Sequence, residues 1–207
     1  MGNWHDKEEI ERVYYEEIKG LLKRILGADE VTCFHHYLRR TDAKPGTEYQ
    51  PPGIGAHIDF APHWAVKVAE QHLPHEGYQY SRFTCVNIWR ALSAPPQDWP
   101  LAVCDGRSVP ADAGVFNALL YMEKLPDLSE IKSVEPPHPG GTIFRYDPSM
   151  KWCYYSGMKE DEALCFKLFD SEKKEGWRVP HAAFFNTVRK DANPRESVEL
   201  RTVCYFK

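Results

Sequence analysis

Apolar positions along the chain first repeat at helical spacing and then give way to strand-like runs. Ile10, Val13, Tyr14, Ile18, Leu21, Leu22 and Ile25 fall on one stripe of a helix. Asp6 is a good N-cap, Glu9 three residues on completes a capping-box pattern, and Gly27 is placed to end the element. The spacing therefore predicts a helix over about 7–26. Beyond it, Val31 to Leu38 is rich in β-branched and aromatic residues and reads as a strand. Thr41 to Gly55, with three prolines and three glycines, reads as a loop delivering the chain to a strand around His57. Ala65 to His72 fits a short helix ended by Pro74. Phe83 to Leu92, Leu164 to Phe169 and Val198 to Phe206 are strong strands. Prolines at 95, 96, 100, 110, 126, 136, 137, 139 and 148 cut the middle into short pieces. Many short strands, one long helix and frequent turns predict a mainly β fold with flanking helices, a sandwich or jelly roll.

Length and composition narrow the picture. At 207 residues the expectation is one domain, 1–207, with one well-buried core. A net charge of −4 with no basic run argues against nucleic acid and anionic membranes as partners. No apolar stretch is long enough to span a bilayer, and the polar, acidic start lacks the apolar core of a signal peptide. A cytoplasmic location is the default expectation. Cys33, Cys85, Cys104, Cys153, Cys165 and Cys204 form no Cys-x-x-Cys pair and are expected to be reduced, structural thiols.

The candidate chemistry lies in His57, Asp59 and His181. Residues two apart on a strand face the same side, so His57 and Asp59 can hold one ion together. A distant histidine, His181 in Val179-Pro180-His181-Ala182, completes two imidazoles and one carboxylate. That set is the facial triad of non-haem Fe(II) oxygenases, which leaves other positions open for substrate and O2. His57 follows a glycine-rich loop and His181 opens an apolar run, as a small-molecule site requires. Arg195 and Ser197, two apart at the start of the last strand, offer a guanidinium fork and a hydroxyl suited to a carboxylate. In a jelly-roll oxygenase that carboxylate is the distal one of 2-oxoglutarate. Arg90 and Lys167 sit in apolar strands and compete for an acidic ligand, unless they face solvent. Alternation puts Arg90 on the face of Ile88, and Lys167 on the face of Cys165 and Phe169. His35 and His36, adjacent on a strand, point to opposite faces, which argues against joint metal binding. His138 carries no evident chemistry, and Tyr146, Trp152, Tyr154 and Tyr155 read as core packing.

Six ordered blocks carry a family resemblance. They are Val86-Asn87-Ile88-Trp89-Arg90, Pro100 to Asp105, Trp152 to Tyr155, Leu164 through Lys167 to Ser171, Pro180 to Phe184, and Pro194 to Glu199. Together, over roughly residues 10–206, they resemble the AsaB/CmcJ-type hydroxylase/desaturase family of non-haem iron oxygenases. The resemblance implies a double-stranded β-helix, Fe(II), and oxidative tailoring of natural products, with 2-oxoglutarate as cosubstrate in some members and not in others. It places the metal ligands on His57, Asp59 and His181 and the cosubstrate anchor on Arg195. Family members usually carry further sequence before the first helix, which raises the expectation that a second subunit, in a homodimer, helps to close the pocket.

Three functions follow as expectations. The first is a 2-oxoglutarate-dependent Fe(II) oxygenase that hydroxylates, desaturates or cyclises a small molecule. The second is an iron oxidase without that cosubstrate, in which an amino-acid-like or carboxylate substrate chelates the metal. The third is a cupin-like binding protein.

Overall fold

A computed structural model describes residues 2–117 and 140–207. His138 and the prolines at 126, 136, 137 and 139 lie outside the described residues.

The N-terminal helix forms where the apolar stripe predicts it. It runs through α-helical Lys7–Glu9, a π-helical stretch Ile10–Tyr14 and α-helical Tyr15–Leu26. Asp6 caps it, accepting a hydrogen bond from the Glu9 amide at 3.0 Å. The Glu9 carboxylate does not return to Asp6; it accepts from the Gly2 amide at 2.8 Å, so only half of the capping box forms. Gly27 ends the helix at φ 68°, a left-handed conformation that glycine adopts without a Cβ clash. The second helix, Pro62–Gln71, starts earlier than the apolar spacing alone suggests. Pro62 supplies a pre-set φ for the first turn and has no amide hydrogen to leave unbonded.

Eleven strands among the described residues form two sheets. They are β1 (Glu30–Arg40), β2 (Tyr49–Gln50), β3 (His57–Ile58), β4 (Arg82–Ala91), β5 (Leu101–Cys104), β6 (Val115–Phe116), β7 (Thr142–Ile143), β8 (Trp152–Tyr154), β9 (Leu164–Asp170), β10 (His181–Ala183) and β11 (Glu196–Phe206). The five-stranded sheet has the order β2-β1-β11-β4-β9, the six-stranded one β6-β7-β3-β10-β5-β8. Every pairing is antiparallel except β1 with β2. The two sheets make the jelly roll, a double-stranded β-helix.

The long strands β4 and β11 are buried on both faces, which is why their sequences read as nearly continuous apolar runs. One face, through Cys85, Trp89, Phe166 and Val203, packs on Ile58, Leu101 and Val103 of the opposite sheet. The other, through Val86, Ile88, Val198 and Leu200, is covered by Ile10, Tyr14, Ile18 and Leu22 of the N-terminal helix. Each such side chain contributes about 1.5–3 kcal/mol by leaving water. In β9, Leu168 is the extra residue of a bulge opposite Cys85 and Val86. Among the described residues no helix is long and apolar enough to cross a membrane.

The six cysteines are free thiols. Cys85 and Cys204 are fully buried, whereas Cys153 is exposed. Cys165 also shows surface, yet burial of its sulfur pushes the thiol up to about 11. Reaction with a disulfide reagent needs the thiolate. Native protein should therefore label first at Cys153, and denatured, non-reduced protein should show six thiols, read by peptide mass and by titration. Two or fewer thiols after denaturation would contradict the free-thiol assignment.

Candidate functional site

The sheet register brings the two distant histidines together. His181 on β10 pairs directly with His57 on β3, and their ring centroids lie 4.4 Å apart. Asp59 stands one residue beyond the end of β3, not within a longer strand as the spacing suggested. It still faces both rings: His57 Nε2 is 3.8 Å from Asp59 Oδ1, and His181 Nε2 is 3.8 Å from Asp59 Oδ2. One ligand atom from each of the three lies within 4.8 Å of the others.

The local backbone decides which nitrogens face inward. His57 Nδ1 donates to the Gly55 carbonyl at 2.7 Å and His181 Nδ1 to the Val179 carbonyl at 3.5 Å, which leaves each Nε2 with its lone pair free. Gly53 lets the loop lie against the ring, because a Cβ there would come 3.2 Å from His57 Cε1. A Cβ on Gly141 would meet the Ile58 carbonyl at 2.5 Å, so glycine lets the start of β7 close on β3. Burial, reinforced by His57, pushes His181 down to about 4, so its ring is neutral at physiological pH. Its Nε2 is buried and has no hydrogen-bond partner among the described residues. An unpaired buried acceptor costs about 1–3 kcal/mol. Two inward lone pairs and a carboxylate around such an acceptor are the donor set that a divalent ion satisfies, and the residues present fit Fe(II).

Asp59 is held from the other sheet. Arg201 Nη2 donates to its Oδ1 and Asn87 Nδ2 to its Oδ2, the latter at 3.4 Å. Arg201 and Asn87 face each other across β11 and β4. The composition of the strands gave no sign of this support, because Glu199 and Arg201 alternate with apolar residues exactly as on a half-exposed strand.

Ser197 lies on the inner face of the last strand, and Arg195, one residue before its start, turns to the same side. Arg195 is 2% exposed and Ser197 fully buried. Arg195 donates Nε to Ser197 Oγ and Nη1 to the Trp99 carbonyl, both at 3.0 Å, and stacks 5.0 Å over the Trp89 ring. Both side-chain acceptors are neutral, so among the described residues no carboxylate sits on the guanidinium. Burial, with Arg39 nearby, pushes Arg195 down to about 9, which leaves it charged at neutral pH.

The competing cations are not brought to the triad. Arg90 pairs in register with Val198 on the helix-covered face. There it donates to the Glu160 carbonyl and packs over Trp4 and Tyr14, at 5.3 and 5.9 Å. Lys167 pairs with Val86 on that same face and lies 3.4 Å from Asp170. The bulge at Leu168 is why it does not share the face of Phe169. His35 and His36 do diverge: His36 meets the Tyr15 hydroxyl at 2.9 Å under the helix, and His35 packs on Tyr37.

The aromatic cluster expected in the core is instead exposed, Tyr146 by 91% and Tyr155 by 63%. Tyr154 and Phe184 help to wall a cavity of about 540 Å³ floored by Ala56, Ala102 and Ala182. Alternation puts these alanines on the face opposite His57 and His181. The cavity therefore lies behind the triad strands.

In metal-free protein, His181 links stability to pH. Its folded value of about 4 lies below the unfolded 6.5, so the unfolded chain takes up the proton first as pH falls. At about 1.4 kcal/mol per unit the loss is on the order of 3 kcal/mol between pH 6.5 and 4. Urea unfolding at pH 7 and pH 4.5 should show that loss in the wild type and a smaller one in His181→Gln. Equal losses would show that the ring is protonated in the fold.

A family described as an oxidoreductase/YMDC permease-like domain matches residues 1–205. The Fe(II)/2-oxoglutarate-dependent dioxygenase nvfI of Aspergillus novofumigatus is 34% identical over 204 residues, 97% of this chain and 69% of its own length. The hydroxylase/desaturase CTB9 of Cercospora beticola is 33% identical over 94% of this chain and 63% of its own length. A solved structure of the iron and alpha-ketoglutarate-dependent endoperoxidase NvfI superposes with a TM-score of 0.83 and 32% identity, over 97% of this chain and 69% of that one. The chain thus spans about two thirds of the length of these relatives.

Proposed function

We propose a function from one premise: the chain belongs to the Fe(II)/2-oxoglutarate-dependent hydroxylase/desaturase family. It is accordingly an iron-dependent oxygenase, and its cofactors are Fe(II) and 2-oxoglutarate. Our reading of the site assigns the metal to His57, Asp59 and His181. The observation that carries it is the buried Nε2 of His181, without a hydrogen-bond partner among the described residues and converging with His57 Nε2 on the Asp59 carboxylate. Arg195, backed by Ser197, is our anchor for the distal carboxylate of 2-oxoglutarate, supported by a buried charge whose side-chain acceptors among the described residues are neutral. Arg90 and Lys167 drop out of that role because they face the other side of the sheet.

When bound, Fe(II), 2-oxoglutarate and O2 together supply an oxidant for a C–H bond, with succinate and CO2 as the spent cosubstrate. The chain's own residues do the rest. The two imidazoles stay neutral and hold their lone pairs inward. Arg195 fixes the orientation of the keto acid through a charged fork rather than a point charge. Phe166, whose ring centroid is 4.8 Å from that of His181, keeps water from the buried side of the site. Orientation of this kind is the protein's share of catalysis with a reactive cofactor. We take the substrate to be a small natural-product-type molecule, the chain 1–207 to be one jelly-roll oxygenase domain, and the compartment to be the reducing cytoplasm. The family membership supports the first, the shared sheets the second, and six free thiols the third.

Asp59→Ala and His181→Ala should lose stoichiometric Fe(II) while keeping the fold, read by anaerobic iron titration and circular dichroism. Full iron loading in both variants would sink the ligand assignment. Arg195→Ala should keep iron but weaken 2-oxoglutarate at least tenfold, since a hydrogen bond to a charged group contributes about 1.5–3 kcal/mol and about 1.4 kcal/mol is a decade. The charge-transfer band of the anaerobic complex measures this. A wild-type-like titration in Arg195→Ala would place the anchor elsewhere.

A further inference from the structure

The metal-ligand strand is weakly held by its own sheet. β3 is two residues long, and Asp59 lies past its end, beyond the pairing of Ile58 with Thr142. A carboxylate there can rotate about its side-chain bonds unless something fixes it. The opposite sheet does so with a line of alternating charges. Arg39 donates Nη1 to the Pro51 carbonyl at 3.0 Å, in the loop that enters β3, and Nε to Glu199 Oε2 at 3.3 Å. Glu199 Oε1 lies 3.4 Å from Arg201 Nε, and Arg201 Nη2 reaches Asp59 Oδ1. Arg201 is further seated by Tyr37, with its guanidinium carbon 4.7 Å over the ring and Nη1 3.4 Å from the hydroxyl, and by Phe60 at 5.5 Å. Cation, anion, cation and anion thus run from the loop before His57 to the ligand Asp59, clamping the short strand on both sides.

We propose that Arg201 is the positioning residue of the metal centre: by gripping one oxygen of Asp59 it sets the angle at which the carboxylate meets the ion, while Glu199 and Arg39 hold the guanidinium in place. The inference rests on the assignment of Asp59 as a ligand. It makes Arg201 more than a counter-charge, since a counter-charge alone would repel a divalent cation and weaken its binding. Groups that orient metal ligands typically contribute 10–100-fold to affinity.

The experiment is Co(II) titration of metal-free protein, followed by calorimetry and by the visible spectrum of the bound ion, with melting recorded before metal is added. Arg201→Lys keeps the charge but not the fork, and Arg201→Gln drops the charge. Both should bind Co(II) 10–100-fold more weakly and change its spectrum. Glu199→Gln, which loosens Arg201 without touching Asp59, should move affinity the same way by less, and it keeps the test open if Arg201→Gln does not fold. Unchanged Co(II) affinity and spectrum alongside a lowered melting temperature would make Arg201 a structural ion pair and overturn the proposal. Tighter binding in Arg201→Gln would overturn it too, showing that the residue acts as a repelling charge. If the wild type binds no Co(II), the ligand assignment itself fails, an outcome distinct from a wild type that binds and variants that bind equally well.

Discussion

Charge buried between two apolar sheets is the constraint on which this molecule turns. Ser197, Glu199 and Arg201 alternate along β11 with Val198 and Leu200, and Arg195 immediately precedes it. On an ordinary half-exposed strand the polar set would face water. Here the apolar set is covered by the N-terminal helix, and the polar set is turned inward against the second sheet. A buried ion costs several kcal/mol unless paired, so each charge has to be answered locally. Burial alone would raise the Glu199 carboxyl, but Arg39 and Arg201 hold it well below the usual carboxylate range. Burial would likewise lower Arg201, and Asp59 and Glu199 hold it above the usual guanidinium range. Arg195 is the exception: among the described residues its side chain donates to neutral oxygens, Ser197 Oγ and the Trp99 carbonyl, which is what supports its proposed role as the anchor of an anionic cosubstrate.

The same burial explains what the outer face excludes. The helix packs Tyr14, Ile18 and Leu22 onto Val86, Ile88, Val198 and Leu200. A charge on that face has to reach an edge or a backbone acceptor. Arg90 lies over Trp4 and Tyr14 and donates to Glu160, and Lys167 reaches Asp170 at the strand end. Strand alternation from the sequence placed Arg90 correctly with Ile88. It misplaced Lys167 relative to Phe169, because one extra residue at Leu168 inverts the pattern halfway along β9. A bulge leaves no compositional mark here.

The fold class and the triad were legible because each depends on a local pattern or a rare spacing. The helical stripe ending at Gly27 survives; the His-x-Asp converges with His181 although Asp59 lies past β3; and Arg195 bonds Ser197 from one residue before the last strand. Partners contributed by register across strands were not legible. Asn87 reaches Asp59 only because β4 lies beside β11 and both face β3, a fact of sheet order rather than of sequence distance. Glu199 and Arg201 were hidden for the opposite reason, since their alternation fits the commoner, solvated strand. Tyr146 and Tyr155 misled in turn: aromatic content suggests a core, but both are exposed, Tyr155 just past β8 of the six-stranded sheet.

A site made of two very short strands also explains why the long ones carry so much polar apparatus. β3 and β10 meet at a single residue pair, His57 with His181, which fixes where the imidazoles sit but leaves the carboxylate beyond the ladder. β11 and β4 are long, doubly buried and paired over ten positions. Arg201 on β11 and Asn87 on β4 hold Asp59, and Arg195, the proposed cosubstrate anchor, stands one residue before β11, so this strand pair carries both. Arg195 and Arg201 are six residues apart, so at roughly 3.3 Å per residue their backbones stand about 20 Å apart, with Arg195 bonded to Ser197 and Arg201 beside Glu199 in the stretch between. If Asp59 and Arg195 hold the proposed metal and cosubstrate, strand geometry rather than loops sets their separation, leaving the loops around β3 and β10 free to differ with the substrate.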